Sequence, residues 1–410
     1  MPSRLVRLLP SHPATRALIY STLAGSSGRA LFITMSVVFF TRSVGLSASE
    51  VGVGLTIAAV CGLFAGVPAG HLADRMGPRN TLVVFATLRA VGPLGYLLVH
   101  EFAGFVAVAS TLALLDAASG AAHGALVAGA IPAQERVRTR AILRSVTNVG
   151  WAIGAIGAGL ALHADTRAGY TTLLLVCVAF FLLSALLDLR VPAVAAAAKR
   201  NDGPTFVVLR DRPYLALTVL NAVLCVHYGM LNVAVPLWVV QRTSAPAWVV
   251  GGLGLLNAVS VIFLQVRASR GAGEATGAAA AQRVAGFLLA GACVLYALAA
   301  GKPMWVAVGI LFIASAVHVL GELRQAAGSW GISFDLAPSH AQGQYQGLYS
   351  TGFALANVIA PAVLATVVIG WGWPGWALFG FLFAASGMAV PVATRWAQRT
   401  REPELATALG

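Results

Sequence analysis

Gly70-His71-Leu72-Ala73-Asp74-Arg75-Met76-Gly77-Pro78-Arg79-Asn80 joins an apolar stretch at 51 to 73 to a second at 81 to 99. A connection this short needs glycine for close approach and positive φ. One acid among two arginines suits a helix end and neighbouring carboxylates. Each flanking stretch is close to the roughly 20 residues that a helix needs to cross a hydrocarbon slab about 30 Å thick. The stretch therefore reads as a tight, charged turn at one face of a membrane.

Outward from that turn the same pattern repeats. Apolar segments run near 17 to 41, 51 to 73, 81 to 99, 102 to 131, 142 to 163 and 169 to 189, then near 213 to 240, 248 to 266, 281 to 300, 303 to 325, 343 to 369 and 374 to 394. The 410 residues are 58% hydrophobic and 10% charged, with a mean hydropathy of +0.82. A soluble domain would carry about 25% charged residues. In lipid every backbone polar group must pair internally, which selects helices or closed barrels, and the alternating strands of a barrel are absent. The chain is therefore expected to be an all-α polytopic membrane protein with twelve transmembrane helices.

The formal charge of +13 invites a nucleic-acid reading, but its distribution along the loops explains it better. With the N-terminus in the cytoplasm, 21 of the 27 Lys and Arg residues fall on that side and four on the other. That asymmetry predicts a multi-pass protein of the cell's inner (plasma) membrane with both termini cytoplasmic. Anionic lipid headgroups account for the basic balance, and no nucleic-acid partner is expected. Arg4, Arg7 and Arg16 lead into a segment too long for a signal peptide and without a convincing cleavage site, so the first helix is expected to be retained. Cys61, Cys177, Cys225 and Cys293 stand singly, without metal-ligand spacing, and read as packing residues. No metal and no cofactor is expected.

Between Arg190 and Arg212 the hydrophobicity lapses through Lys199, Arg200, Asn201, Asp202, Gly203 and Pro204. This predicts a six-helix bundle over 1–189, a linker over 190–212 and a second bundle over 213–410. Local echoes support duplication. Gly52-Val53-Gly54-Leu55 is matched by Gly252-Leu253-Gly254-Leu255, and Pro132 ahead of Arg136 by Pro338 ahead of Gln342.

The loop quoted above resembles the signature loop of the major facilitator superfamily, G-x-L-a-D-r-x-G-r-r. Gly70, Leu72, Ala73, Asp74, Arg75, Gly77 and Arg79 match it, and Pro78 occupies a position usually basic. The resemblance implies a monomeric secondary transporter of two pseudo-symmetric bundles working by alternating access on a small-molecule substrate. It also implies that Asp74 docks against the start of the eleventh helix, near Gln342 to Gln346, as a gate. Two departures stand out. Gly129 occupies the position where an acid often receives the motif's arginine, with Glu135 as a possible substitute, and the equivalent loop of the second half, Gln265 to Gly271, lacks the acid. Gly150, Gly154, Gly157 and Gly159 resemble the glycine-rich motif of drug antiporters, with Ala155 in place of its proline, and read equally as ordinary helix packing.

Ionisable residues deep in a span are costly and mark pathways or pairs. Arg29 and Asp116 lie halfway along the first and fourth helices, and an ion pair between them would serve coupling or only fix helix register. Drug exporters of this kind more often place the acid on the first helix and the arginine on the fourth. Arg89, on the third helix, is the weaker candidate. His318 and Glu322 share a face of the tenth helix and suit a proton site. His227, Tyr228 and Asn232 on the seventh helix, with His123 on the fourth, are further candidates for a cavity lining or for packing. Asn148, Asn221, Asn257 and Asn357 suit helix-to-helix bonds or substrate contact. Trp238, Trp248, Trp305, Trp371, Trp373 and Trp376 are expected in an interfacial belt.

No nucleotide-binding G-x-x-x-x-G-K-[ST] loop occurs, so energy is expected from an ion gradient, most simply protons. No His-Glu-x-x-His or Gly-x-Ser-x-Gly string marks an enzyme. The partial antiporter glycines favour efflux of small hydrophobic compounds, as in multidrug resistance. The rivals are a proton-coupled importer or facilitator of an anionic metabolite, which Arg29 would suit, and a non-transporting receptor.

Overall fold

The computed structural model describes residues 12–40, 45–162, 167–196 and 205–409. Arg4, Arg7, Arg42 and the linker residues Lys199 to Pro204 lie outside them. The described elements are helical, and twelve spans can be followed in the order expected from the apolar segments.

The first span is α1 (Pro13–Phe39) and the second is α2 (Ala48–Leu63) followed by α3 (Gly66–Met76), the two bent by 44°. The third is α4 (Pro78–Val91), which tightens into a 3₁₀ stretch at Gly92–Leu98, and α5 (Phe102–Ala130), α6 (Ala133–Leu162) and α7 (Arg167–Asp188) follow. The seventh span is composite: α8 (Arg212–Cys225), one turn of α9 (His227–Gly229), a π-helical stretch at Met230–Ala234, and α10 (Val235–Arg242). Then come α11 (Trp248–Ala268), α12 (Ala275–Leu298), α13 (Met304–Asp335), α14 (Gln342–Leu364) with a π-helical end at Ala365–Ile369, and α15 (Trp373–Leu409).

Among the described residues nine of these spans are long and apolar enough to cross a membrane, and the bent α2–α3 pair makes ten. The remaining two, α1 and α6, have 27 and 30 residues, about 40 Å or more at a rise of about 1.5 Å per residue. That exceeds the slab they must cross.

Local chemistry sets the ends of these helices. Ser47 Oγ accepts from the Glu50 amide at 3.2 Å while Glu50 Oε2 accepts from the Ser47 amide at 2.8 Å, a reciprocal cap that starts α2. Gly77 takes φ +88° between α3 and α4, a region that side chains avoid, and Pro78 opens α4 where a missing N–H costs nothing. The π-helical winding of the seventh span falls just before Pro236, whose ring supplies no amide donor to the ladder.

Two compact units emerge, Met1–Val207 with Ala337–Thr351, and Val208–Leu336 with Gly352–Gly410. In the first, Phe40 meets Tyr96 and Phe105 edge-on at 4.7 and 4.6 Å between centroids. The glycines of α6 seat it on α1: a Cβ on Gly150 would strike Ser26, one on Gly154 the backbone of Ser27, while Gly157 is in ordinary contact with Leu31 and Gly159 faces open space. Only the N-terminal part of that glycine row makes a close crossing.

In the second unit the tryptophans divide. Trp248, Trp305, Trp371 and Trp373 are exposed as a belt requires, but Trp238 and Trp376 are buried. Trp238 donates its indole N–H to the Tyr296 carbonyl at 2.8 Å and packs edge-on against Trp376. Trp238 has the acceptor that a buried indole usually finds, whereas the Trp376 indole nitrogen is buried without one among the described residues and is held by ring packing on Trp238 and Tyr296. Both are core residues, and the expectation of a belt position for them is corrected.

Candidate functional site

Asp116, at the middle of α5, is held between two arginines. Arg29 of α1 donates from Nη1 to both carboxylate oxygens at 2.8 Å, and Arg89 of α4 donates to Oδ1 at 3.0 Å. The Arg89 guanidinium also lies over the Phe181 ring of α7, 5.3 Å from its centroid, a favourable cation–π placement. The arginines differ in access: the Arg29 side chain is 48% exposed and that of Arg89 21%. The sequence pairs Arg29 with Asp116; the structure adds Arg89 to that pair. With two guanidinium groups on one carboxylate the centre carries a net single positive charge. Seven residues further along α5, His123 Nδ1 lies 3.3 Å from Nη1 of Arg140, which extends the basic character.

The second unit gathers a different set. His227, at the break between α8 and α9, brings Nδ1 to 3.2 Å from Nε2 of His318 on α13, and the Tyr296 hydroxyl lies 3.4 Å from the other ring nitrogen of His318. One turn along α13, Glu322 Oε2 accepts from Asn257 of α11 at 2.7 Å. Tyr228 packs its ring on His227 and donates to Gln325 Oε1 at 3.4 Å. Gln325 and Gln282 in turn both donate to Asn221 Oδ1, at 2.9 and 3.1 Å. Asn232, exposed, donates back to the Tyr228 carbonyl as a helical side chain does, and Asn148 and Asn357 behave alike.

The loop of the second span forms a third constellation. Asp74 accepts from the amides of Gly343 at 2.7 Å and Gln344 at 3.1 Å, capping from outside the donors that open α14. His71 Nδ1 lies 2.9 Å from Gln344 Nε2. Behind this cap four glycines cross: a Cβ on Gly66 or Gly70 would strike the carbonyls of Gly347 and Gly343, and the reverse holds as well. Both helices thus carry glycines four residues apart at the contact, the pattern that lets helix backbones approach in membranes. Around the cap, Arg79 donates to the Val191 carbonyl at 3.4 Å, Leu72 is exposed, and among the described residues neither Arg75 nor Glu135 enters an ion pair.

The family model for the Major Facilitator Superfamily matches residues 17–361. The chain belongs to that superfamily. Among solved structures it is similar to a bacterial homologue of the iron transporter ferroportin in an outward-facing state, at 15% identity and a TM-score of 0.73 over 94% of this chain and 99% of that one. It is similar also to the human organic anion transporter MFSD10 (TETRAN), at 15% identity and TM-score 0.65 over 92% and 99%. The E. coli fucose:proton symporter is a third, at 13% and 0.68 over 93% and 98%. No curated protein sequence matches. The protein is a facilitator-type transporter and not an enzyme.

Within this facilitator the sequence paired Arg29 with Asp116 and His318 with Glu322 and set Asp74 at the start of the eleventh helix, but it joined neither Arg89 to the first pair nor His227 to His318. Arg89 ranks as the weaker candidate in the sequence, Asn221 is read there only as a helix-to-helix or substrate amide, and Gln282 and Gln325 escaped because uncharged amides carry no midplane penalty large enough to notice. Gly66, Gly343 and Gly347 were legible in principle, since Gly66-x-x-x-Gly70 and Gly343-x-x-x-Gly347 repeat one spacing.

Proposed function

We propose that this facilitator carries a small organic anion together with a proton, by alternating access, across the inner membrane with both termini cytoplasmic. The observation that carries the reading is Asp116 held between Arg29 and Arg89. A charged group half open at mid-span belongs to a watered passage, because hydrocarbon would penalise it by several kcal/mol. A monoanion bonded to Arg29 brings the centre to neutrality. A proton on Asp116 removes its charge and frees Arg29 donors, so it strengthens anion binding, and by reciprocity the anion strengthens proton binding.

This reading adopts the anionic-substrate alternative over efflux of hydrophobic compounds. Gly150 and Gly154 of α6 are accounted for by packing on α1, which serves either cargo. Two neighbours are named as an organic anion transporter and a proton symporter, and at 15% and 13% identity they support the fold and leave cargo to the site.

Purified protein in vesicles with an imposed pH gradient is the test. Expected is uptake of at least one of a panel of mono- and dicarboxylates with accompanying proton movement. Hydrophobic cations moving against the proton flow, with no anion moved, would restore the efflux reading, and no flux of any compound would favour a receptor.

Asp74 is assigned the gate at the start of α14. Asp74→Asn keeps one amide acceptor and loses the charge, worth about 1 kcal/mol as a cap. Turnover is expected to fall several-fold with the order of substrate preference unchanged, measured as initial uptake rates. An altered preference would count against a gating role.

A further inference from the structure

We infer that His227, His318 and Glu322 form a binding site for one divalent first-row transition-metal ion within the second unit. The site is separate from the anion centre and does not depend on it. The three residues offer two imidazole nitrogens and one carboxylate oxygen, all within 4.8 Å of one another, and their exposures are 0%, 0% and 4%.

Spacing is the first argument. An ion with bonds of about 2.1 Å holds neighbouring ligand atoms about 3.0 Å apart in an octahedron and about 3.4 Å apart in a tetrahedron. His227 Nδ1 and His318 Nε2 stand 3.2 Å apart, so both nitrogens already flank one ion position. A side-chain rotation brings the Glu322 carboxylate, one turn along the same helix, onto the third vertex.

The outer partners are the second argument, since metal-binding imidazoles and carboxylates are oriented by groups behind them. The Tyr296 hydroxyl lies 3.4 Å from His318 Nδ1; with the imidazole protonated at Nδ1 it accepts that hydrogen bond, and the Nε2 lone pair is left for the ion. Asn257 holds Glu322 at 2.7 Å, and the Tyr228 ring packs at 4.0 Å on His227. Nitrogen and oxygen donors without a thiolate suit zinc, cobalt, iron or manganese in the divalent state.

Backbone geometry is the third. His227 stands where α8 gives way to α9, directly before the π-helical turn at Met230–Ala234, and such turns gather at functional sites. Because all three ligands are enclosed, the ion acts as a clamp between the seventh and tenth spans, not as cargo in this conformation.

The test is titration of the full-length, tag-free, metal-stripped protein in detergent with cobalt(II). Expected are saturation at one equivalent with the visible absorption of nitrogen-bound cobalt, and a melting temperature that rises with cobalt concentration. His318→Gln and Glu322→Gln should each weaken binding about 10- to 100-fold, while His123→Gln in the first unit should leave it unchanged. Arg29→Gln should also keep it, so failure of the anion reading leaves this result standing. If a ligand variant does not fold, the wild-type stoichiometry and melting shift decide alone. Absence of saturable binding, or equal affinity in the folded ligand variants and the wild type, would overturn the site.

Discussion

Arg29→Gln is expected to lower affinity for the transported anion about 100-fold while leaving the protein inserted and folded. A charge-assisted hydrogen bond to a buried partner is worth roughly 1.5 to 3 kcal/mol, and each 1.4 kcal/mol is a factor of about ten. The substitution removes the more accessible of the two donors and takes the centre from a net positive charge to neutrality, so bond and long-range attraction are lost together. Asp116 keeps its bond from Arg89 at 3.0 Å, which spares the fold the cost of a wholly unpaired charge. Arg29→Lys retains the charge but loses the planar guanidinium, whose Nη1 alone reaches both carboxylate oxygens at 2.8 Å while its other N–H groups stay available to an anion, and should fall between the two. Equilibrium binding measured by competition in detergent checks both, and unchanged affinity in Arg29→Gln would remove the centre from substrate recognition.

The second large effect is expected at the glycine crossing. In Gly70→Val the new Cβ would drive into the Gly343 carbonyl, and a backbone oxygen cannot turn aside as a side chain can. Forced overpacking costs typically 1–3 kcal/mol, and separation of α3 from α14 also takes Asp74 out of reach of the Gly343 and Gln344 amides. Transport should drop at least about 10-fold if that crossing belongs to the working cycle, and deuterium exchange at residues 343 and 344 should accelerate. Gly159→Val, on a glycine that faces open space, is the control and should change neither. Protected amides in Gly70→Val would show that the cap survives without the close approach.

What was legible in the sequence follows physical cost. Twelve spans in two bundles could be read because burying a polar backbone in lipid forces long apolar runs, and the Asp74 loop because its glycines and charges sit at fixed spacing. Mid-span charges were conspicuous for the same reason, so Arg29 and Asp116 were seen. Their pairing was read as well, but the third member Arg89 was not, because which face of a helix meets which neighbour depends on packing that a single chain does not announce. Arg89 reaches Asp116 because α4 lies beside α5, and His227 reaches His318 because the seventh span lies beside α13. Trp238 and Trp376 misled for a related reason: position near a span end suggests an interface, while the Tyr296 carbonyl lets the Trp238 indole go inside and stacking on Tyr296 and edge-on packing against Trp238 enclose Trp376.

Proton movement accompanying the anion, compared in vesicles between the wild type and Asp116→Asn, is the most direct test of the anion centre. Asparagine holds the position permanently uncharged, as a proton would. The account requires that this variant still exchange internal for external anion, yet fail to concentrate it when a pH gradient is imposed, whereas the wild type does both. Gradient-driven accumulation by Asp116→Asn equal to that of the wild type would contradict it.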